Sequence, residues 1–290
     1  MSDLREALWS VVPQGLYEHF KIRRPARLRE QQESDRLKHP LALSARNSDL
    51  RDRHKGQRCF ILCNGPSVKR QDIAWLKDEH VLSVSNGYHH PDYATIQPEY
   101  HFIPQLTYGS LTPDTAAIWF REMDGKLGRA RVFLNYTEER LVREADLFAG
   151  RDVRYMTFSG SFTDYAPLAL PDIAGRIPSV QSVAIMCLMA AMHMGFEKIY
   201  LLGTDHDHFL TGEYKYFFDP TVLRGLDPST NSEGNLVGAL FDEFSALSML
   251  WQQYRAIRRI AEHHGIAIFN ATAGGALDEF PRVEFETLIP

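Results

Sequence analysis

The stretch Arg58-Cys-Phe-Ile-Leu-Cys-Asn-Gly-Pro-Ser67 decides the expected fold, because an apolar run ends there in four polar or turn-forming residues. Residues 60–62 predict a buried strand of a parallel sheet. Asn64 and Gly65 then favour a sharp turn, a proline presets φ for a helix, and Ser67 can cap the first N–H groups of that helix. Such a loop aims backbone donors at the sheet edge and favours a bound phosphate or carboxylate, although an ordinary strand-to-helix turn has the same sequence features.

The composition predicts a soluble globular protein. With 290 residues, of which 44% are hydrophobic, the chain can form one α/β domain with an added segment. The net charge of −5 argues against general nucleic-acid binding, and no apolar run is long enough to span a membrane. Cys59, Cys63 and Cys187 are an odd set without metal-ligand spacing, and the first residues lack the apolar core of a signal peptide. We therefore expect a reducing, cytoplasmic environment.

Residues 1–57 predict a helical, basic extension, and residues 58–290 a Rossmann-like domain. From Lys21 to Arg58 there are twelve Lys or Arg residues against five Asp or Glu. An amphipathic helix followed by such a patch can lie on the anionic inner face of a membrane, or it can pack on the core with a solvated charged face. The apolar residues at roughly helical spacing are Leu4, Leu8, Trp9, Val12, Leu16, Tyr17 and Phe20.

After this first strand, strands and helices alternate along the chain. Strands are predicted at 81–85 and 100–103, and they are followed by Asn86 and Gln105. Because parallel strands present their carboxyl ends at one edge of a sheet, Asn64, Asn86 and Gln105 should converge on one crevice. Each amide alone is also a common turn residue.

The middle of the chain predicts further elements of the same sheet. We expect helices around 115–123 and 138–148, strands at 131–135 and 153–158, and a long loop over 160–178. Ser182 then opens a helix over 183–194 that is apolar on nearly every face and should be buried.

A second polar loop follows the strand predicted at 198–202. Its sequence is Gly203-Thr-Asp-His-Asp-His208. Asp205 and Asp207 can form a carboxylate pair that holds a divalent cation against a diphosphate. In a metal-free alternative Asp205 accepts hydrogen bonds from a ribose, and His206 or His208 handles a proton. The His-x-His spacing would also suit zinc, for which it is weak evidence by itself.

The last third predicts a long amphipathic helix over 240–264 and a final strand at 266–269. The strand leads into a flexible loop in which Asn270 and Thr272 are candidate ligand contacts.

Three motifs in order carry a family resemblance between about residues 50 and 285. They are Lys55-Gly-x-Arg-Cys-Phe-Ile-x-x-Asn-Gly-Pro-Ser67, Met194-Gly-Phe-x-Lys-Ile-Tyr-Leu-x-Gly-x-Asp-His206 and Phe269-Asn-Ala-Thr-x-Gly-Gly-x-Leu277. They resemble bacterial proteins of the "domain of unknown function 115" class, which is grouped with 6-hydroxymethylpterin diphosphokinases. More distantly, they are similar to the CMP-sialic-acid-dependent sialyltransferases of glycosyltransferase family 42. The resemblance implies a Rossmann-like, mostly parallel sheet with helices on both faces, a variant of the glycosyltransferase-A-like fold.

The resemblance also implies roles for single residues. Asn64 and Gly65 would contact the nucleotide phosphate, Asn86 the activated sugar or phosphate, and Gln105 would hold an equivalent amide position. Ser67 of the same loop as Asn64 is a further candidate ligand contact from the sequence itself. Ser182, Gly203 and Asp205 would line the nucleoside, and Tyr214 would stabilise the departing phosphate. The family's histidine base before the last long helix is absent, since that stretch reads Leu240-Phe-Asp-Glu-Phe244. Either Asp242 or Glu243 replaces it, His206 takes over its role, or the acceptor chemistry differs. Asp207 stands where the family has a second tyrosine.

Three functions follow from these observations. The first is a glycosyltransferase of bacterial surface-glycan assembly that takes a nucleotide-activated sugar, such as a CMP-linked acidic sugar, and a glycan or lipid-linked acceptor. Its catalytic residues would be His206, Asp205, Glu243 and Tyr214, with no metal and no cofactor. The second is a pterin-type pyrophosphokinase that would need Mg²⁺ with ATP. The third is a non-catalytic nucleotide-binding protein.

Overall fold

The computed structural model describes residues 39–106, 112–162, 168–210, 215–219 and 240–289. Their centre is one sheet of eight parallel strands. Across the sheet the strand order is β6-β5-β4-β3-β2-β1-β7-β8. The strands are β1 (Arg58–Leu62), β2 (His80–Val84), β3 (Tyr100–Phe102), β4 (Arg131–Asn135), β5 (Val153–Phe158), β6 (Arg176–Ile177), β7 (Lys198–Leu202) and β8 (Ala267–Asn270).

The strand order creates a topological switch point between β1 and β7. From β1 the chain adds strands in one direction as far as β6, and it then returns to place β7 on the other side of β1. In sheets of this kind the connections from the two strands at the switch point run to opposite faces, and the ligand lies beyond the carboxyl ends of these strands. The switch point is where a sheet of this kind binds its ligands.

Helices cover both faces of the sheet. They are α1 (39–44), α2 (Tyr93–Ile96), α3 (Pro113–Asp124), α4 (Glu139–Glu144), α5 (Val183–His193) and α6 (Leu240–His263). On one face α5 and α6 pack against residues such as Ile61 and Phe133. On the other face α3 packs against Val132 and Leu134, which alternate with Phe133 along β4. These observations confirm the predicted α/β, Rossmann-like fold with helices on both faces of a parallel sheet.

The described part of the predicted extension, residues 39–57, packs on the domain. Leu50 is fully buried in the core. Asn47 Nδ2 donates to the carbonyl oxygens of Tyr155 at 2.8 Å and Ile173 at 2.9 Å. Residues 1–38, with the predicted amphipathic helix and the start of the basic patch, lie outside the described residues. Within the described residues, no helix has the length and apolar character needed to cross a membrane.

Several local expectations differ from the structure. The helix predicted over 138–148 is α4, which ends at Glu144. The helix predicted after Ser67 is instead a pair of 3₁₀ segments, Pro66–Arg70 and Ile73–Asp78. The helical conformation stops at Gln71. The Nε2 of this residue donates to Ala271 O, in the loop after β8, at 2.8 Å. The loop predicted over 160–178 contains the two-residue strand β6, which is too short to give a sequence period.

Candidate active site at the switch point

Two glycines allow the loops after β1 and β7 to touch. Gly65 N donates to Gly203 O at 2.9 Å. A side chain at Gly65 would overlap Asp205 Oδ2, and its Cβ would lie 2.5 Å from Gly203 O. Gly203 has φ +66°, and a Cβ there would lie 2.6 Å from Cys63 O. The resemblance placed both glycines beside the ligand, and the structure shows that both are needed to bring the two loops together.

The carboxylate of Asp205 joins the same two loops. Its Oδ1 accepts from Ser67 N at 3.1 Å, and its Oδ2 accepts from Ser67 Oγ at 2.7 Å. Burial raises the pKa of Asp205, whereas the two hydrogen bonds from Ser67 act in the opposite direction. Both carboxylate oxygens are thus engaged inside the protein, and Asp205 positions the β1 loop.

Asn270 and Thr272 hold the loop after β8 against the loop after β7. Thr204 N donates to Thr272 Oγ1 at 3.1 Å, and Thr272 N donates to Asn270 Oδ1 at 3.0 Å. Asn270 Nδ2 donates to Leu277 O at 2.8 Å. Their predicted contact with a ligand stays a prediction, and the structure assigns these polar atoms a positioning role.

Asn64 and Asn86 follow neighbouring strands and differ in how their amides are used. Asn64 Oδ1 is buried and has no hydrogen-bond partner within the described residues, so it is available to a ligand donor. Asn86 Oδ1 accepts from Trp119 Nε1 at 2.8 Å and from Tyr88 Oη at 3.2 Å. The two loops lie close together, because a Cβ added at Gly87, the residue after Asn86, would lie 3.6 Å from Asn64 Oδ1.

The remaining predicted contacts are more dispersed. Ser182 caps α5, and its Oγ accepts from Ala184 N at 3.2 Å. Gln105 follows β3 and its side chain is exposed. Tyr214 lies outside the described residues, so its role with a leaving phosphate stays a prediction.

His206 is tied into the protein interior. Its Nε2 hydrogen-bonds Tyr254 Oη at 2.8 Å, and Tyr254 is fully buried. The backbone of His206 is in the left-handed region, with φ +49°. Burial lowers the pKa of His206 to about 4, with a smaller contribution from the nearby His208. His206 therefore carries no charge near neutral pH.

His208 and Glu243 form an imidazole–carboxylate pair between the loop after β7 and the start of α6. His208 Nε2 and Glu243 Oε1 are in direct hydrogen-bonding contact. The side chains are 10% and 19% exposed, so the pair is shielded but reachable from solvent. His208 belongs to the loop after β7 and Glu243 to the first turn of α6. The sequence analysis gave His208 only as one of two alternative proton carriers. Its carboxylate partner is 35 residues away along the chain, so no local pattern predicts the pair.

The pKa of His206 predicts a pH effect on stability. Because the folded-state pKa is below the ordinary value of about 6.5, the unfolded chain takes up a proton that the folded chain does not. The free energy of unfolding should therefore fall as the pH decreases from about 6.5 towards 4. The variant His206→Asn should reduce the number of protons taken up on unfolding by up to about one, and asparagine is compatible with the left-handed backbone at this position. Urea denaturation at pH 7 and pH 5 measures the difference, and an unchanged pH slope would contradict the assignment.

Comparisons with known proteins add a distant structural relative. No family model and no curated protein matches the chain. Among solved structures it is similar to the sialyltransferase CstII from Campylobacter jejuni in complex with the substrate analogue CMP-3FNeuAc. The identity is 14%, the TM-score is 0.38, and the match covers 78% of this chain and 85% of that chain. The resemblance to the "domain of unknown function 115" class and to pterin diphosphokinases stays a prediction.

Proposed function

We propose that the protein is a glycosyltransferase that takes a nucleotide-activated sugar, in the class of CMP-linked acidic sugars, and acts in bacterial surface-glycan assembly. The observation that carries the proposal is the His208–Glu243 pair, in which the loop that follows β7 at the switch point contacts the first turn of α6. An imidazole in contact with a carboxylate is the usual arrangement for removing a proton from a hydroxyl group. Sugar transfer to an acceptor hydroxyl needs such a base.

In this mechanism His208 removes the proton of the acceptor hydroxyl. The acceptor oxygen forms its bond to the anomeric carbon while the bond between that carbon and the donor phosphate oxygen breaks. The phosphate leaves with the electron pair, and the proton stays on His208. Glu243 holds the ring in position and stabilises the imidazolium that forms. Glu243 is therefore a partner of the base, where the sequence had offered it as a possible replacement for the base.

The leaving phosphate would be held by groups around the β1 loop. Beside that phosphate, Asn64 Oδ1 is buried without a partner in the described residues, and because an amide oxygen only accepts, it would bind an O–H or N–H group of the donor. Lys69 and Arg70 are exposed at the end of the 3₁₀ segment Pro66–Arg70 and supply positive charge. The predicted role of Tyr214 would add a hydroxyl donor to this set.

The geometry of Asp205 favours metal-free chemistry over the pyrophosphokinase alternative. A carboxylate pair for Mg²⁺ needs oxygens that are free to coordinate the ion. Both oxygens of Asp205 accept hydrogen bonds from Ser67 and the residue is only 5% exposed, so this carboxylate is poorly placed for a Mg²⁺ ion that keeps several waters. A CMP-sugar leaves as a monophosphate, whose single charged group needs less compensation than a diphosphate. The proposal therefore includes no metal and no cofactor.

A thermal-shift screen tests the class of donor. Nucleotides and sugar nucleotides should be compared at equal concentration, each with EDTA and with Mg²⁺. A ligand at 100 times its Kd stabilises the folded state by about 2.7 kcal/mol, which corresponds to a shift of several degrees. We expect cytidine nucleotides to stabilise the protein equally in both conditions. Stabilisation by ATP only with Mg²⁺ would favour the pyrophosphokinase, and no response to any nucleotide would contradict the proposal.

Substitution of the two amides should give different outcomes. Asn64→Ala should abolish nucleotide-induced stabilisation without changing the unliganded melting temperature, because its Oδ1 has no protein partner in the described residues. Asn86→Ala should also destabilise the unliganded protein, by about 1–3 kcal/mol, because Trp119 Nε1 and Tyr88 Oη lose their acceptor. Gln105→Ala, at an exposed position, is the comparison variant. Equal nucleotide shifts in wild type and Asn64→Ala would remove Asn64 from the site.

A further inference from the structure

A second group of potential ligands lies at the opposite edge of the sheet. His54 precedes β1, His80 is the first residue of β2, and Glu99 directly precedes β3. One ligand atom from each lies within 4.8 Å of the ligand atoms of the other two. In the parallel sheet these positions mark the amino ends of the strands, whereas the crevice lies beyond the carboxyl ends. The group is therefore separate from the proposed transferase site.

We propose that His54, His80 and Glu99 bind a divalent transition-metal ion of the Zn²⁺ type. Two imidazoles and one carboxylate from three chain segments are a donor set that zinc uses, with a water molecule as fourth ligand. Imidazole nitrogen favours Zn²⁺ over Mg²⁺, which prefers oxygen ligands.

The distances are close to those of a tetrahedral site. His80 Nδ1 and Glu99 Oε2 are 2.9 Å apart, and His54 Nε2 and Glu99 Oε1 are 3.8 Å apart. Metal–ligand bonds of about 2.0–2.1 Å in tetrahedral geometry place neighbouring ligand atoms about 3.3 Å apart. Shifts of about 1 Å in the side chains would thus complete the coordination, since the ligand atoms all lie within 4.8 Å of one another.

The orientation of His54 is set by a neighbour, as metal-binding imidazoles usually require. Its Nδ1 donates to Gln57 Oε1 at 2.8 Å, because an amide oxygen can only accept. The Nε2 lone pair then accepts from Tyr100 Oη at 2.7 Å, and a metal ion bound to Nε2 would displace this hydrogen bond. Phe196 stacks on the same ring, with centroids 4.4 Å apart and planes at 8°. Such supporting contacts hold a ligand ring in place and strengthen metal binding.

The site is open to solvent on one side. The side chain of His54 is 6% exposed, whereas those of His80 and Glu99 are 33% and 34% exposed. An ion can thus enter past the two partly exposed ligands and reach the buried nitrogen. Once bound, it would tie the segment before β1 to the starts of β2 and β3 and stabilise this edge of the sheet.

Zinc titration of the purified, metal-stripped, tag-free full chain tests the proposal. Competition with a chromophoric chelator gives affinity and stoichiometry, Co²⁺ absorption reports tetrahedral coordination, and Mg²⁺ is the negative comparison. We expect one equivalent of Zn²⁺ to bind and to raise the melting temperature. His80→Gln and Glu99→Gln, at partly exposed positions, should each weaken Zn²⁺ binding at least tenfold, and circular dichroism checks that they fold. Failure of the wild type to bind Zn²⁺ would overturn the proposal.

Two sets of variants separate a metal site from a hydrogen-bonded cluster. His89 and Glu122 form a similar pair, with Nε2 and Oε1 3.9 Å apart, so His89→Gln and Glu122→Gln are matched controls that should leave Zn²⁺ affinity unchanged. Gln57→Leu removes the acceptor for His54 Nδ1 and should weaken affinity about tenfold, whereas Gln57→Glu retains an acceptor and should preserve it. Equal losses in the controls, or no effect of His80→Gln and Glu99→Gln, would place the bound ion elsewhere and overturn the proposal.

Discussion

Replacing His208 with asparagine should lower donor turnover by a factor of about 10² to 10⁴ and leave nucleotide binding unchanged. The imidazole is the proposed acceptor of the hydroxyl proton, and asparagine cannot accept a proton at neutral pH. Because the hydrogen bonds between the loops after β1 and β7 are made by Gly65 and Ser67, and His208 contacts Glu243 of α6, the change should spare the nucleotide site. Release of nucleotide from the sugar nucleotide, measured beside nucleotide affinity, separates the two effects.

Neighbouring residues supply the controls for this experiment. Glu243→Gln keeps the size of the side chain but removes its charge, so we expect a smaller loss than in His208→Asn. Asp242→Asn, an exposed neighbour on the same turn of α6, should retain wild-type turnover. His206→Asn should also retain it, since His206 is bonded to the buried Tyr254. Wild-type turnover in His208→Asn together with inactivity of His206→Asn would transfer the role of base to His206.

Replacing Gly65 with alanine should destabilise the protein by about 3 kcal/mol, the upper part of the range for overpacking. The added methyl group would overlap Asp205 Oδ2 and approach Gly203 O to 2.5 Å. Neither neighbour can move freely, because Asp205 is held by Ser67 and Gly203 by the hydrogen bond from Gly65 N. The backbone itself permits alanine, with φ −63° and ψ 153°, so the cost is one of space.

Gly175→Ala is the matched control for this substitution. Gly175 also lacks a positive φ, and a Cβ there would meet only Asp172 O at an ordinary 3.6 Å. We expect a change within about 0.5 kcal/mol, as is usual for unconstrained positions. Urea denaturation of both variants gives the free energies of unfolding. A Gly65→Ala protein as stable as Gly175→Ala would show that the two loops are not packed as described.

Local sequence patterns predicted the sheet because its strands are continuous apolar runs. The bounds of β4, β5 and β7 agree with the predicted 131–135, 153–158 and 198–202. Patterns failed where tertiary contacts decide the backbone. A helix was predicted after Ser67, but the link from Gln71 to Ala271, 200 residues later, accompanies a break between two 3₁₀ segments.

The sequence predicted which loops form the candidate site. It did not predict which hydrogen bonds each side chain in these loops makes. Asn64 and Asn86 look alike in the sequence as amides that follow strands. Their environments differ because Trp119, on a distant helix, reaches Asn86. Likewise, no spacing rule joins His208 to Glu243, or His54 to His80 and Glu99, because only the folded sheet brings these segments together.

Hydrogen–deuterium exchange with the most stabilising nucleotide tests the central claim, that the donor binds at the switch point between β1 and β7. Bound nucleotide should slow amide exchange in the loops 63–71 and 203–208 and leave the amino-edge segments 51–57 and 97–100 unchanged. Protection confined to those amino-edge segments, or equal exchange with and without nucleotide at 63–71 and 203–208, would contradict the account.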